Sequence, residues 1–279
     1  MLTKVGKDST QTAPKVSVVM GIYNCARTLR DAIESVFHQS YGDWELILCD
    51  DCSTDDTYRI AQEFERKDSR IKLLRNAENM GCNIVLNRCI AAARGEYIAI
   101  MDSDDESLSL RLARETEFLD AHPQYALVAC AASFFDDEGD FGILRKKEIP
   151  DIKDFAYSIP HLHATCMIRR DALTAIGGYG SHRRMTRVED YYMLARLYAA
   201  GYRGYNLQEV LYRICDNAAS YKRRTWQNRM NEVYTFGAAH KLLKLPFYSR
   251  IALLRPVLVG IMPNFLYHLL HRKVRLRQK

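Results

Sequence analysis

The sequence predicts an α/β fold with a mostly parallel central sheet flanked by helices, and three observations predict it. Short apolar runs rich in Val, Ile and Leu alternate with segments of helical periodicity along the first third of the chain. The runs end in polar clusters rather than two-residue turns, and parallel strands need a crossover helix because a tight turn cannot join them. The clusters therefore share one edge, the carboxyl ends of the strands, where open parallel sheets bind ligands.

Residues 1–14 are polar and expected to be flexible. Residues 16–20 read as a buried strand ending at Gly21, Ile22, Tyr23 and Asn24, which sets turn formers and an aromatic at its carboxyl end. Leu29, Ile33, Val36 and Phe37 recur at helical spacing. A second strand over 44–49 closes in Asp50, Asp51, Cys52 and Ser53, and Thr54 or Asp55 then caps a helix carrying Ile60, Ala61 and Phe64. A third strand over 71–74 leads through Asn79, Met80 and Gly81 into a helix that stops at Gly95.

The fourth strand, from Tyr97, ends abruptly in Asp102, Asp104 and Asp105. Carboxylates this close repel unless solvent, a basic cluster or a divalent cation neutralises them. Asp102 and Asp104 alternate with Ser103, so both can reach one hard cation, with diphosphate oxygens and water filling the shell that Mg2+ or Mn2+ prefers. The competing reading is a solvated acidic turn capping a helix from Leu108.

A helix over 110–122 and a fifth strand over 125–131 follow, then a polar, aperiodic stretch at 136–150 that reads as a surface excursion or hairpin. Residues 161–168 alternate in strand fashion and carry His161 and His163. Asp171 begins a short helix ending at Gly177, Gly178 and Tyr179, and Glu189 and Asp190 open another that ends at Gly201. Acids in a first helical turn complement the dipole, so Glu189 and Asp190 fit capping as well as chemistry.

Taken together, these residues resemble family 2 glycosyltransferases of the bacterial cell-surface polysaccharide type. The ordered series is residues 16–24, 50–57, Asn79-x-Gly81, Gly95-Glu96-Tyr97, Asp102-x-Asp104 and Glu189-Asp190, and it spans roughly residues 15–215. The resemblance implies the GT-A fold, with a Rossmann-like sheet. It implies that Tyr23 flanks the nucleotide base, that Asp51 accepts a hydrogen bond from it, and that Asp102 and Asp104 hold Mn2+ or Mg2+ against a sugar-nucleotide diphosphate. Asp190 matches the general base of a usually inverting transfer. Gly178, Tyr179 and Glu189 match positions around donor sugar and acceptor, although the glycine pair fits a helix C-cap equally well. His161 and His163 lie toward the acceptor side, with a structural role as the alternative. Arg213, with Asn217, Ser220 and Lys222, resembles a segment that closes over the diphosphate, against the competing view of a basic solvated loop. Gly21 departs from the Thr or Ser that relatives often carry, which removes one side-chain contact to the base.

The chain has 279 residues, 48% hydrophobic and 27% charged, ordinary for a globular protein. Its eight cysteines lack framework spacing and no basic-then-apolar leader opens the chain, which points to a reducing, cytoplasmic setting. The net charge of +6 is a C-terminal property, because nine Lys or Arg and no Asp or Glu lie between His240 and Lys279. Residues 251–270 are largely apolar but interrupted by Arg255, Pro256, Pro263, Asn264 and His268. They read as a basic amphipathic segment in peripheral contact with an anionic membrane at the inner face of the plasma membrane, or as a helical pair packed on the core. The expected organisation is a flexible 1–14, a catalytic domain over 15–235 with a nucleotide-binding half at 15–105 and an acceptor half at 106–235, and an extension at 236–279.

The expected partners are a UDP- or dTDP-sugar donor and a glycan or polyprenyl-linked acceptor. A nucleotidyl transferase needs a Gly-rich phosphate loop with Lys or Arg after the first strand, where this chain has Tyr23 and Asn24. A non-catalytic scaffold of the same fold is the alternative of a different class, and it predicts loss of Asp190 or the aspartate pair, all of which are present. No nucleic-acid partner is expected, since the acidic edge would repel phosphates.

Overall fold

The computed structural model describes residues 13–180, 188–216 and 225–261. The first half is the predicted alternation: β1 (Val16–Ile22), α1 (Leu29–Phe37), β2 (Trp44–Asp50), α2 (Thr57–Lys67), β3 (Ile71–Arg75), α3 (Cys82–Ala92) and β4 (Tyr97–Ile100). Every residue of β2 is buried, as in a strand covered on both faces, which explains the apolar run from Leu46 to Cys49, while its two acids, Glu45 and Asp50, are paired with Arg94 and Arg75. Leu29, Ala32, Ile33 and Val36 of α1 pack beneath β1 and β2, and such side chains each contribute roughly 1.5–3 kcal/mol on burial.

The second half adds β5 (Glu106–Ser107), α4 (Arg111–Ala121), β6 (Leu127–Asp136), β7 (Gly139–Leu144), β8 (Met167–Arg169), α5 (Arg170–Ala175), α6 (Glu189–Ala199) and β9 (Gly204–Cys215). After β9 come α7 (Trp226–Leu242), a 3-10 turn at Phe247–Leu253 and α8 (Leu254–Ile261). The sheet runs β3-β2-β1-β4-β8-β6-β9-β5, with β7 paired to β6. The pairs from β3 to β4 and the pair β6 with β9 are parallel, whereas β8, β5 and β7 run against their neighbours. The expected mostly parallel sheet is therefore a mixed one. The excursion over 136–150 contains a hairpin strand, β7.

Three local expectations are corrected. Residues 161–168 do not form one strand: a 3-10 turn occupies His163–Thr165 and only Met167–Arg169 pairs. The Thr165 hydroxyl bonds Leu162 O at 2.8 Å and receives Cys130 N at 3.2 Å, so side-chain bonding replaces the ladder there. The helix after the acidic run starts at Arg111 with Leu110 as N-cap and no side-chain cap, so Asp102, Asp104 and Asp105 cap nothing. Strand β9 had no sequence signal, because register shifts opposite Cys130, Ala131 and Ala132 and the polar run Asn206, Gln208 and Glu209 break its alternation.

The division expected at 235/236 falls inside α7, one continuous helix. It packs on α6, where the Phe236 ring lies 4.3 Å from that of Tyr191, and Ala239 and Leu243 join the core. Residues 262–279 lie outside the described residues.

Candidate active site

Registers fix which loops meet. Ile22 pairs with Asp50, Asp50 with Arg75, and Val19 with Ile100, so the carboxyl ends of β1, β2, β3 and β4 are neighbours. Tyr23, Asp51 and Asp102, distant in sequence, therefore stand at one edge of the sheet. Tyr23 is half exposed, with an open ring face.

Asp51 is buried and anchors the next loop. Its Oδ1 accepts Asn76 Nδ2 at 2.6 Å and Met80 N at 2.9 Å, and its Oδ2 accepts Gly81 N at 2.9 Å. The motif Asn79-Met80-Gly81 is thus held by a carboxylate clamp, and Gly81 supplies the φ of +91° at which α3 begins. Oδ2 keeps a lone pair for a further donor. The glycine at 21 also has a packing reason: a Cβ there would meet Val85 Cγ1 of α3 at 2.8 Å.

Asp102, Asp104 and Asp105 follow β4 with carboxylate oxygens that all lie within 4.8 Å of one another. Asp102 is exposed, Asp104 half-buried and Asp105 buried. Asp105 is the member that sequence reasoning did not assign. Its Oδ1 accepts Cys215 N at 2.8 Å. Burial first, then the charges of Asp102 and Asp104, push its carboxyl well above the usual range. Three oxygen donors of this kind, two of them reached by solvent, suit a hard divalent cation. A cavity of about 210 Å³ is lined by Asp104 and Asp105 together with Arg27, Asp31 and Asp137. Thr28 Oγ1 donates to Ser103 O at 2.9 Å and fixes this loop to the start of α1.

Asp190 lies in the first turn of α6, its Oδ1 accepting Tyr191 N at 2.7 Å. Cys82, an exposed residue at the start of α3, has its thiol raised well above the ordinary range by desolvation of the sulfur first and then by the charges of Glu189, Asp102 and Asp190. The Tyr179 phenol is raised likewise, by burial first and by Asp190 and Asp102 among the charges that face it. The charges of Asp102 and Asp190 both act on these two side chains.

Gly177 and Gly178 close α5 with Gly177 N on Thr174 O and Gly178 N on Leu173 O at 2.9 Å each, a C-cap with φ of +70° and +64°. They also fit a clamp. Asn87 of α3 bonds both Tyr179 N and Tyr179 O, at 2.8 and 2.9 Å, while Asn83 donates to Gly180 O at 2.9 Å. These asparagines, four apart on an otherwise largely apolar helix, were a signal the sequence offered. The Tyr179 side chain is buried and its hydroxyl sits 2.5 Å from His163 Nε2. His161 is fully buried between Asn206 Oδ1 at 2.7 Å and the Tyr198 hydroxyl at 2.8 Å, so it belongs to the core.

Arg213 pairs with Glu106, which lines the cavity beside Asp104 and Asp105, and, at 2.9 Å, with Asp140 of the β7 hairpin. Asn217, Ser220 and Lys222 lie outside the described residues. The C-x-x-C at Cys49 and Cys52 gathers no metal-binding cluster among the described residues, where the aspartate trio is the group found.

Comparison with known proteins decides the family. A model described as Glycosyl transferase family 2 matches residues 17–177. The chain is a family 2 glycosyltransferase. It is 40% identical over 269 residues to glycosyltransferase EpsE of Bacillus subtilis, covering 96% of this chain and 97% of that one. It is 27% identical over 239 residues to WfaP of Escherichia coli, named as a UDP-Glc:alpha-D-GlcNAc-diphosphoundecaprenol beta-1,3-glucosyltransferase, covering 84% and 92%. Among solved structures, S. aureus TarS in complex with UDP superposes with a TM-score of 0.63 at 19% identity, covering 82% of this chain and 69% of that one. The mannosyltransferase PcManGT from Pyrobaculum calidifontis, in complex with GDP-Man and Mn2+, gives 0.63 at 18%, covering 95% and 81%. These two likenesses show the fold, which is GT-A as expected.

Proposed function

We propose that this glycosyltransferase moves a sugar from a UDP- or dTDP-activated donor to a glycan or polyprenyl-diphosphate-linked acceptor in polysaccharide synthesis, with inversion and with a divalent cation. The observation that carries the reading is the aspartate cluster after β4, Asp102, Asp104 and Asp105 with carboxylate oxygens within 4.8 Å of one another, at the sheet edge it shares with Tyr23 and Asp51.

Tyr23 offers a ring face to the base, and the remaining Oδ2 lone pair of Asp51 accepts a base N–H. Asp102 and Asp104 would hold Mg2+ or Mn2+, which when bound offsets the charge of the departing diphosphate. The acceptor oxygen attacks the anomeric carbon as the bond from that carbon to the diphosphate oxygen breaks. The hydroxyl proton passes to Asp190. An Asp suffices because the hydroxyl becomes acidic only as it bonds to the oxocarbenium-like sugar, so the proton moves late. One in-line displacement needs one base, in keeping with inversion. Gly178, Tyr179 and Glu189 shape the wall between donor sugar and acceptor. Arg213, paired with Glu106 and Asp140, holds β5 and the β7 hairpin beside the aspartate loop. The acceptor class is supported by the lipid-linked acceptor in the name of WfaP.

The test is a thermal-shift panel of UDP, dTDP, GDP and CDP, each with and without Mn2+, on the wild type and on Asp102→Ala/Asp104→Ala. A rise for a uridine or thymidine diphosphate that needs both the metal and the aspartates is the expected result. A metal-independent rise, or one that survives the double substitution, overturns the assignment of the pair.

A further inference from the structure

The polypeptide after α7 presents an apolar face that the fold does not cover. Phe247, Tyr248, Ile251, Leu254 and Leu258 are between 58% and 78% exposed. Ile251 and Leu254 are three apart across the 3-10 turn and Leu254 and Leu258 four apart on α8, the spacings that keep side chains on one side of each, with Phe247 and Tyr248 exposed just before them. The opposite side is committed to the protein. Ser249 and Pro256 are buried, and Gly260 lies so close to Trp226 of α7 that a Cβ would stand 3.0 Å from its ring. The face is therefore held in place on α7 and is not a frayed end.

Its chemistry is specific. Arg250 stacks its guanidinium 4.9 Å from the Phe247 ring, and Lys244 and Arg255 are exposed beside it. Residues 262–279, which follow directly, add five Lys or Arg, and no Asp or Glu occurs anywhere after Val233. Arg255 Nη1 donates to Tyr157 O at 3.1 Å, which joins to the face a further exposed ring, Tyr157, from the loop preceding His163. Exposed aromatics and aliphatics with Lys244, Arg250 and Arg255 among them fit the headgroup boundary of an anionic bilayer: rings and aliphatics enter the interface while Lys and Arg stay with the phosphates. No described helix is long and apolar enough to cross a membrane, so the contact is in the plane.

We infer that this face, Phe247 to Leu258 with Tyr157, docks the enzyme on an anionic lipid surface. The contact is wired to the reaction centre through two packed elements. Helix α7 lies on α6 through Phe236 and Tyr191, the residue after Asp190, and the Tyr157 loop runs on to His163, which touches Tyr179. The inference deepens the lipid-linked acceptor reading of the proposed function, and the two fail separately, because docking is measured with neither donor nor acceptor present.

The experiment is co-sedimentation of the full chain with vesicles of phosphatidylcholine alone and of phosphatidylcholine with phosphatidylglycerol, at low and high salt. Deleting the chain from Lys241 would remove Leu243 from the core, so point substitutions are the cleaner probe. Phe247→Ser/Ile251→Ser removes apolar contact, and Lys244→Asn/Arg250→Gln removes charge while Asn tolerates the φ of +53° at 244. Both pairs are exposed, so melting temperatures should hold. Salt-sensitive binding to the anionic vesicles only, weakened about tenfold by either pair, is the expected result. Absence of binding at low salt, or binding unchanged by the Ser pair, overturns the inference. So does self-association of the wild type that the Ser pair abolishes, which would assign the face to a second copy of the chain.

Discussion

The Tyr212 hydroxyl accepts the backbone N–H of Asp102 at 3.2 Å, so a residue of β9 fixes the first acid after β4. The Tyr212 ring centroid lies 4.8 Å from the guanidinium of fully buried Arg111. Arg111 is itself held by Glu115 at 3.2 Å and by Ile100 O at 2.9 Å. The aspartate loop thus rests on a buried ion pair through one phenol.

Tyr212→Phe keeps the ring over Arg111 and deletes the hydroxyl. A bond of this kind is worth about 1 kcal/mol net, so the Mn2+ concentration needed for nucleotide-dependent stabilisation should rise about fivefold, with little loss of melting temperature. Metal titration of the thermal shift reads this directly. An unchanged titration curve would mean that Asp102 is positioned without Tyr212.

Asp190→Asn removes the base while conserving shape. Turnover should fall about 10²- to 10⁴-fold, and the donor-induced thermal shift should survive. Steady-state kinetics against a lipid-linked acceptor separate the two effects. Retention of near-normal turnover would return Asp190 to a dipole-capping role.

Gly178→Ala combines a φ of +64° with a Cβ only 2.4 Å from Asn87 Oδ1. The clamp on Tyr179 must give way, so a destabilisation of about 1–3 kcal/mol is expected, together with weaker donor turnover. Gly42→Ala, where a Cβ meets nothing within 4 Å, is the matched control. Urea denaturation of the two variants should separate clearly.

Burial pushes the His161 imidazole down to about 4 from 6.5, against the Asn206 bond that favours its charged form. Between those values the unfolded chain binds a proton that the folded chain does not, so stability rises with pH across this window and is lost on acidification. The loss is on the order of 3 kcal/mol by pH 4. Melting temperatures from pH 7 to pH 4.5 should fall more steeply for the wild type than for His161→Gln, and parallel curves would place the acid sensitivity elsewhere.

Truncation after residue 235 cuts α7 in its middle. Ala239, His240 and Leu243 leave the core, and Phe236 no longer covers Tyr191. Burial of that apolar surface is worth at least about 3 kcal/mol, so the truncated chain should be poorly soluble or melt many degrees lower. Equal stability of the two would justify treating 236–279 as a dispensable appendage.

What the sequence by itself determined is the first half of the fold and the edge at which chemistry occurs. Its strands are short, two-sided and apolar, each followed by an amphipathic helix, and that local periodicity needs no partner to be legible. Because parallel crossovers leave polar residues at one edge, Tyr23, Asp51, Asp102 and Asp104 could be collected before any coordinates were known, and Asp190 entered by resemblance.

What only the tertiary structure decided depends on contacts between distant segments. Strand β9 is polar in its middle and bulged, so its place beside β6 comes from pairing and not from its own pattern. With it came Tyr212 under Asp102 and the Cys215 amide on Asp105. The clamp of Asn83 and Asn87 on the Tyr179 loop and the seating of α7 on α6 are likewise long-range. Local propensity is a weak prior beside such packing. The residues that carry reactive groups are therefore legible one by one, while those that hold them in place become visible only once the chain has closed on itself.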